Sequence, residues 1–326
     1  MYPVSACTFL FCTYGNLNYF SRMKPVYQFP LSFILISWAS LLTNSPLAAL
    51  DSSLIKLQQQ VQSLLGAQKG NFAVAFKDLS SGKTAFFNEH ENFHAASTMK
   101  TPVMIEIYKQ VKEKRFKLTD SIVLKNEFKS IVDGSLYSLD TTDDSEADLY
   151  KHIGEKRTVY QLMYEMITVS SNFATNTLIE KVGAKNVLQT MRSYGANDIQ
   201  VLRGVEDQEA FDKGLNNTTT AYDLMLLFEK IASGKAVNKK SSAAMINILL
   251  DQKFNEIIPA QLPKQVKVAH KTGSITGVEH DSGIVFLPDG RKYILVILSK
   301  NLIDTDASVK AMSDVSLLIY QYISKH

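Results

Sequence analysis

Cysteine and tryptophan are almost missing from this sequence of 326 residues. Its two cysteines, Cys7 and Cys12, and its one tryptophan, Trp38, all lie within the first 49 residues. If that segment is removed, the rest of the chain has no thiol. This excludes disulfide bonds and thiol chemistry from everything that follows residue 49.

Acidic residues are missing from the same segment, because residues 1–49 contain no Asp or Glu. From Met23 the sequence has a basic start, an apolar stretch and then small residues, which is the pattern of a secretory signal peptide. We therefore expect a signal peptide at 23–49, with cleavage near Ala48 or Ala49, and a periplasmic or secreted product. Residues 1–22 are interpreted as a mis-assigned upstream extension, with Met23 as the true initiator.

Long hydrophobic runs and an excess of positive charge are missing too. The apolar stretch 29–42 has 14 residues, fewer than the roughly 20 that a spanning helix needs. We expect no stable membrane insertion after cleavage, and an uncleaved membrane anchor stays the alternative. The whole chain has 35 basic and 32 acidic residues, so without Arg22 and Lys24 the numbers are 33 and 32. This near-neutrality gives no indication of a nucleic-acid partner.

Residues 50–326 are long enough for one large domain. Their apolar patterns follow the order helix, two strands, a helical middle, three strands and a final helix. Hairpin connections at both ends predict an α+β fold, with an antiparallel β-sheet flanked by N- and C-terminal helices plus an all-α lobe. We expect the sheet lobe at about 50–95 and 262–326, the helical lobe at about 96–261, and a surface excursion in the polar stretch 134–156.

The stretch NEHENFHAASTMK at 88–100 contains two overlapping catalytic patterns. His90, Glu91 and His94 form HExxH, which binds zinc when both histidines share one face of a helix. Here the segment follows a strand, contains asparagines and has no apolar stripe around the histidines. The nearest third ligand, Glu113, lies in a charged run. We therefore expect a polar loop, with neither a metal nor a cofactor.

Ser97 and Lys100 form SxxK, the second pattern in this stretch. SxxK occurs four times, at Ser21, Ser53, Ser80 and Ser97, and only the last opens an apolar helix. The spacing of three places both side chains on one helix face, about 60° apart. A partly desolvated lysine with a lowered pKa can then take a proton from the hydroxyl. A capping serine followed by a surface lysine is the alternative.

Two further motifs favour the serine nucleophile over zinc. The sequence SSN at 170–172 lies between two predicted helices, and KTG at 271–273 lies on a predicted strand. SxxK, SxN and KTG therefore occur in this order on a helix, a loop and a strand. Such a combination is much less frequent by chance than any one of the three motifs.

Over about residues 54–323 the chain resembles the class A β-lactamase group of penicillin-recognising serine hydrolases, through FHAASTMK, TVSSNFATNTLIEKVG, LNNTTTAYDL and HKTGS. The resemblance implies a sheet between terminal helices and an all-helical lobe, which agrees with the order of elements. It also implies a monomer without metal or cofactor. Its partner would be a small-molecule β-lactam or a peptidoglycan-like acyl peptide.

The same resemblance implies a role for each motif residue. Ser97 would attack the substrate carbonyl, Lys100 would activate Ser97 or hold its proton network, and Ser170 would protonate the leaving nitrogen. Asn172 would bind the substrate amide. The substrate carboxylate would be recognised on the KTG strand, by Lys271, Thr272 and Ser274 on either side of Gly273. The backbone N–H groups of Ser97 and Ser274 would form the oxyanion hole.

Hydrolysis of the acyl-enzyme needs a carboxylate that activates water. Glu206, 36 residues after Ser170, stands where the resemblance places that base. Asp207 and Glu209 are rivals for the role. The loop departs from the family pattern, because Ala210 stands where an asparagine is expected and the stretch before NTTT is short.

Other departures concern the supports of the site. Ser171 replaces the usual Asp, which puts the rigidity of that loop in doubt. Asn217 replaces an acidic residue, so the usual ion pair with Arg203 cannot form. No arginine for the substrate carboxylate is evident after KTG, and His280 is a possible substitute. Ordinary packing is the alternative for His280, and also for His270.

We expect an exported serine hydrolase that opens β-lactam amide bonds through an acyl-enzyme on Ser97. A D-Ala-D-Ala peptidase or esterase of the same fold is one alternative. The other is a penicillin-binding module that acylates without turnover.

Overall fold

The computed structural model describes residues 52–325. The predicted upstream extension 1–22 and signal peptide 23–49 lie outside these residues. Within 52–325, no helix is both long and apolar enough to cross a membrane.

Helices form most of the middle of the chain and both of its described ends. They are α1 Ser52–Gly66, α2 Lys100–Lys112, α3 Val159–Thr168, α4 Asn172–Val182, α5 Ala184–Ser193, α6 Gln208–Asp212, α7 Ala221–Ala232, α8 Lys239–Leu250 and α9 Thr305–Lys325. Short 3₁₀ turns lie at Ala96–Met99, Thr141–Asp143 and Ala147–His152.

The strands form one main sheet and several short pairs. They are β1 Asn71–Asp78, β2 Thr84–Phe87, β3 Phe93–His94, β4 Ser121–Val123, β5 Phe128–Lys129, β6 Leu136–Tyr137, β7 Lys156–Thr158, β8 Thr218–Thr219, β9 Lys267–Ile275, β10 Val278–Phe286 and β11 Lys292–Lys300. The main sheet is antiparallel throughout, in the order β2-β1-β11-β10-β9. The fold is therefore α+β, as the sequence predicts. The predicted limits of the two lobes stay a prediction.

Strand β11 lies at the centre of the sheet and is covered on both faces. Successive side chains of a strand point to opposite faces. Ile294, Val296 and Leu298 pack into the core on the helical side, whereas Leu295 and Ile297 pack into the core shared with α1 and α9. Burial on both faces explains why KYILVILSK reads as a continuous apolar run instead of an alternating one.

Helix α2 is buried on almost every side, although its sequence predicts a single apolar stripe. Lys100, Thr101, Glu106 and Gln110 are buried together with the apolar residues of the helix. A helix surrounded in this way lies inside the helical lobe. Its first turn therefore places Lys100 in a region without solvent.

The predicted surface excursion at 134–156 is only partly on the surface. Leu139, Leu149 and Tyr150 are buried in the helical core, and the carboxylate of Asp144 is buried with them. The stretch has no regular period because short turns, and not a helix, carry these residues inward. Most of the stretch is exposed, as its polar composition predicts, and these four residues are the buried exceptions.

We expect Ile297→Ala to lower the free energy of unfolding by about 2–5 kcal/mol, because it leaves a cavity in the core between the sheet and α1 and α9. Ile297 is fully buried. The control is Ile303→Ala, since Ile303 is 77% exposed and its truncation should change stability by less than about 0.5 kcal/mol. Urea denaturation measures both. Equal losses in the two variants would contradict this assignment of the core.

Candidate active site

The amine of Lys100 lies at the centre of the site. It is fully buried and donates hydrogen bonds to the Ser170 carbonyl at 2.7 Å, the Ser170 hydroxyl at 3.1 Å and Asn172 Oδ1 at 2.9 Å. The amine thus connects the start of α2, where Ser97 lies one turn earlier, to the 170–172 loop. Two of the three sequence motifs meet at this one nitrogen.

Burial lowers the pKa of Lys100 to about 7, because an ammonium loses its hydration there. The carboxylates of Asp144 and Glu206 oppose this effect by favouring the charged form. Near pH 7 a substantial fraction of the amine is therefore neutral. A neutral amine in this position can accept a proton, which is the property required of a general base.

The hydroxyl of Ser170 lies between two lysines. Lys271 donates to Ser170 Oγ at 3.0 Å, and Lys100 donates to the same oxygen. Lys271 is also fully buried, and burial together with the neighbouring Lys100 holds its pKa well below the ordinary value. Because both lysines donate to this oxygen, its own hydrogen is available to a group in the cleft.

Strand β9 approaches the start of α2 so closely that a side chain at Gly273 would displace its neighbours. A Cβ at Gly273 would lie 3.0 Å from Ser97 N and 3.1 Å from Thr98 N, both backbone atoms. The absence of a side chain lets β9 bring the backbone of Ser274 next to Ser97. This is the arrangement that a pair of oxyanion-binding N–H groups would need.

Two cavities open on either side of Ser97, and the predicted site residues border them. The larger has a volume of about 870 Å³ and the smaller one of about 520 Å³. The larger is lined by Ser97, Ser170, Asn172, Thr272, Gly273 and Ser274. Glu206 lines the smaller one. With the buried amines of Lys100 and Lys271, every residue predicted for the site is therefore brought to one region.

Glu206 reaches the site through a direct contact with the 170–172 loop. Asn172 Nδ2 donates to Glu206 Oε1 at 2.7 Å. Burial raises the pKa of Glu206, the Asn172 hydrogen bond lowers it, Asp143 and Asp144 raise it further, and the positive charge of Lys100 lowers it. A carboxylate whose pKa is raised is a stronger base than an ordinary one, which favours its accepting a proton from water.

The rival carboxylates are bound elsewhere. Asp207 is buried, caps α6 through Ala210 N, and accepts hydrogen bonds from Ser130 Oγ and Ile131 N. Glu209 contacts Lys213 on the exposed surface. Of the three candidates Glu206, Asp207 and Glu209, Glu206 is the one that contacts a motif residue.

The Glu206 loop is fixed by the neighbouring helix α4. Val205 N donates to Asn176 Oδ1 at 2.6 Å, and Asn176 Nδ2 donates back to the Val205 carbonyl at 3.0 Å. Gly204 permits this contact, because a Cβ there would lie 2.2 Å from Asn176 Oδ1. The residue that precedes Glu206 is thus held at both of its backbone polar groups.

Hydrogen bonds to carbonyl and amide oxygens close the rest of this loop, where the sequence predicts that an ion pair cannot form. Arg203 donates to the carbonyls of Gly204 and Leu215 and to Asn216 Oδ1. Asn217 accepts from Arg203 N and donates to the Arg203 carbonyl. Asn217 therefore holds the two ends of the loop together through the backbone of Arg203, although it cannot form an ion pair with the Arg203 side chain.

Asp144 is a site residue that sequence reasoning missed. Its Oδ2 accepts hydrogen bonds from Phe173 N at 2.7 Å, from the Tyr150 hydroxyl at 3.0 Å and from Ser171 Oγ at 3.3 Å. A carboxylate from another segment therefore stands beside Ser171, where the family pattern has an aspartate. The only sequence signal was the Asp143-Asp144 pair inside the polar stretch.

Glu279 is the second missed residue. It lines the larger cavity, and its carboxylate accepts a hydrogen bond from the Ser274 hydroxyl at 2.8 Å. Glu256 borders the same cavity. The sequence pattern had pointed to His280, the residue after Glu279, as a substitute for the missing arginine.

His280 and His270 have structural roles. His280 is fully buried and contacts the His94 carbonyl at 2.8 Å, and burial lowers its pKa to about 4. His270 is buried against Asp281, with Nδ1 and Oδ1 2.8 Å apart. Neither lines the cavities beside Ser97, so packing, the alternative for both, agrees with the structure.

The residues of the HExxH pattern have separate partners. His90 stacks on Tyr222, the Glu91 carboxylate is 2.9 Å from Lys300 Nζ, and His94 Nδ1 accepts from a backbone N–H. Within the described part of the chain, no group of three or more potential ligand side chains could hold a metal ion.

Three residues at the site have backbone angles that are uncommon outside glycine. Ala96, Ser170 and Glu206 have positive φ values of 43°, 58° and 60°. Ala96 directly precedes Ser97, and Ser170 and Glu206 are themselves predicted site residues. The hydrogen bonds described above hold these turns.

Comparison with known proteins gives consistent matches. A model of the β-lactamase enzyme family matches residues 56–323. The chain is 25% identical over 256 residues to β-lactamase ROB-1 of Haemophilus influenzae, which is 77% of each chain. It is 22% identical to the extended-spectrum β-lactamase PER-1 of Pseudomonas aeruginosa, over 82% of this chain and 87% of that one.

Solved structures agree with these matches. A β-lactamase from Sphaerobacter thermophilus superposes with a TM-score of 0.70 at 26% identity, covering 84% of this chain and 98% of that one. PBP-A superposes with a TM-score of 0.71 at 27% identity, covering 83% and 97%. A mutant of PBP-A, solved as an acyl-enzyme complex with penicillin G, gives 0.71 at 28% identity, covering 84% and 98%.

We expect Gly273→Ala to slow acylation of Ser97 by about tenfold or more, because the new Cβ would push β9 away from the start of α2 and small displacements of reacting groups are costly. Labelling of Ser97 by a serine-reactive fluorescent probe measures the rate. Gly66→Ala is the control, since a Cβ there meets no atom within 4 Å. Normal labelling of Gly273→Ala would refute the close contact.

Proposed function

Because the chain belongs to the β-lactamase enzyme family, we propose that it is a serine hydrolase that opens the amide bond of β-lactams through an acyl-enzyme on Ser97. The observation that carries this proposal is the buried Lys100 amine with a pKa of about 7, hydrogen-bonded to Ser170 and Asn172. A surface lysine after a capping serine would have neither property.

In the acylation step Ser97 Oγ forms a bond to the substrate carbonyl carbon, and its proton passes to the neutral Lys100 amine. The carbonyl oxygen becomes negative and would be stabilised by the backbone N–H groups of Ser97 and Ser274. The carbon–nitrogen bond then breaks. The departing nitrogen takes the hydroxyl proton of Ser170, which regains one from Lys100.

In the deacylation step Glu206 takes a proton from a water molecule, whose oxygen bonds to the acyl carbon. The ester bond to Ser97 breaks, the acid is released, and the proton that Glu206 took from water is returned to Ser97 Oγ. Asn172, which contacts both Lys100 and Glu206, links the two half-reactions. The amide of Asn172 would also orient the substrate's own amide.

A D-Ala-D-Ala peptidase or esterase of the same fold, or a module that acylates without turnover, is the second candidate. The similarity to PBP-A and to its acyl-enzyme complex favours this alternative. The two candidates differ in the fate of the acyl group on Ser97 and not in how it forms.

The purified protein should hydrolyse a chromogenic cephalosporin and form a transient adduct with a fluorescent penicillin on Ser97. Glu206→Gln should slow deacylation by about 10²–10⁴-fold, the usual contribution of a general base, so that the adduct accumulates. Intact-protein mass spectrometry and hydrolysis assays measure the two steps.

Glu209→Gln is the matched control, because Glu209 lies on the same loop at the exposed surface and its removal should leave turnover unchanged. Unaltered turnover in Glu206→Gln would exclude Glu206 as the base. A long-lived adduct in the unmodified protein would favour the second candidate. No adduct at all would refute acylation of Ser97.

We expect the acylation rate to rise with pH and to level off above about pH 7. Lys100 must be neutral to accept the Ser97 proton, and its lowered pKa of about 7 makes it neutral above that value and charged below it. Each pH unit below the pKa should therefore cost about tenfold. Single-turnover labelling across this range measures the profile. Lys100→Arg keeps a positive charge at every pH and should acylate poorly throughout; a pH-independent rate in the unmodified protein would contradict Lys100 as base.

A further inference from the structure

The wall of the larger cavity contains the carboxylate of Glu279, which is hydrogen-bonded to β9, the strand that carries the KTG motif. Glu279 on β10 faces Ser274 on β9 in the register of the sheet. The Ser274 hydroxyl donates to Glu279 Oε1 at 2.8 Å. Both residues line the cavity that Ser97 also lines. The Ser274 hydroxyl, which is expected to bind a substrate carboxylate, therefore already donates a hydrogen bond to the Glu279 carboxylate.

The backbone of Glu279 cannot easily move away. Its N–H donates to Ser299 Oγ at 2.9 Å, and Ser299 Oγ donates to its carbonyl at 2.5 Å. Strand β10 lies between β9 and β11, so pairing on both sides fixes this position. Separating the carboxylate from Ser274 therefore requires rotation of the Glu279 or the Ser274 side chain.

The charges around Glu279 do not neutralise it. Lys310, on α9, lines the same cavity, but its amine lies 3.0 Å and 2.8 Å from the two carboxylate oxygens of Asp314. Glu256 and Asp306, which also line the cavity, add negative charge. Burial raises the pKa of Glu279, the Ser274 hydrogen bond lowers it, and Glu256 raises it further.

We propose that Glu279 is a specificity-determining residue that disfavours a carboxylate on the leaving group, so that the site prefers acyl substrates whose leaving group is uncharged, such as neutral esters and amides. The proposal rests on acylation of Ser97, the proposed function. Like charges about 4 Å apart lower an affinity about fivefold in a water-like medium, and more strongly in a drier one.

The test uses a penicillin and its methyl ester, which differ only in the carboxylate on the side of the departing nitrogen. With both compounds Ser97 Oγ bonds to the lactam carbonyl, the lactam C–N bond breaks and the nitrogen takes a proton. The measured quantity is the second-order rate constant for labelling of Ser97, followed by the mass of the intact protein.

In the unmodified protein the methyl ester should label Ser97 faster than the free penicillin. Glu279→Gln keeps the shape and removes the charge, so it should accelerate the free penicillin about fivefold or more and the ester less than about twofold. Glu279→Ala should act in the same direction. Asp306→Asn is the matched control, because it removes a negative charge from the same cavity at a residue that is not bonded to Ser274.

The pH dependence of the ratio of the two rate constants separates Glu279 from the catalytic groups. Lys100 acts on both compounds and cancels from the ratio, whereas Lys271, expected to bind the substrate carboxylate, acts on the free penicillin alone and is the same in the unmodified protein and in Glu279→Gln. The rate constant for the free penicillin, divided by that for the ester, should fall as pH rises through the raised pKa of Glu279, because the charged form repels. The fall through the raised pKa of Glu279 should be absent from Glu279→Gln, in which Lys271 is unchanged.

The outcomes distinguish this inference from the proposed function. If both compounds label Ser97 and the ratio is the same in Glu279→Gln as in the unmodified protein, Glu279 does not determine specificity and the proposed function stands. If Asp306→Asn changes the ratio as much as Glu279→Gln does, the contact with Ser274 is not the cause. If neither compound labels Ser97, the proposed function fails and this inference with it.

Discussion

Removal of the Lys100 amine from water controls the chemistry of the whole site. Burial favours the neutral amine, whereas the carboxylates of Asp144 and Glu206 favour the ammonium, and the result is a pKa of about 7. A carboxylate bonded directly to the amine would fix it in the charged form, in which it has no lone pair for a proton. Asn172 prevents this, because its amide lies between Lys100 and Glu206 and bonds to each. The positions of the two acidic residues therefore matter as much as their identity.

Those positions depend on segments that are distant in the sequence. Asp144 comes from a polar stretch and reaches the start of α4, while Glu206 is held through Asn176 from the side of the same helix. Asp207 anchors the following turn to the β5–β6 hairpin through Ser130. Neutral amides close the loop between Arg203 and Asn217. A loop that departs from the family pattern is thus attached without an ion pair between Arg203 and residue 217.

Short local patterns in the sequence predict the residues of the candidate site that the structure brings together. Ser97 with Lys100, Ser170 with Asn172, and Lys271 with Gly273 each lie on an element whose type follows from apolar periodicity or composition. Asp144 and Glu279 could not be found in this way. Asp144 lies among turns without a period, and Glu279 matters only because the register of β9 and β10 pairs it with Ser274. Such contacts depend on the path of the chain, which no local pattern records.

The three residues with positive φ also limit how this protein can change. Ala96, Ser170 and Glu206 each adopt a conformation that costs roughly 1–3 kcal/mol when the residue is not glycine. The folded state tolerates this strain because strand β11 and its two cores supply more stability than the turns remove. A mutation that weakens the centre of the sheet would thus leave less stability to offset strained backbone angles at the candidate site. It would do so without changing any residue of the cleft. The evolutionary freedom of the loops at the candidate site is set in part by apolar side chains that lie outside the cleft.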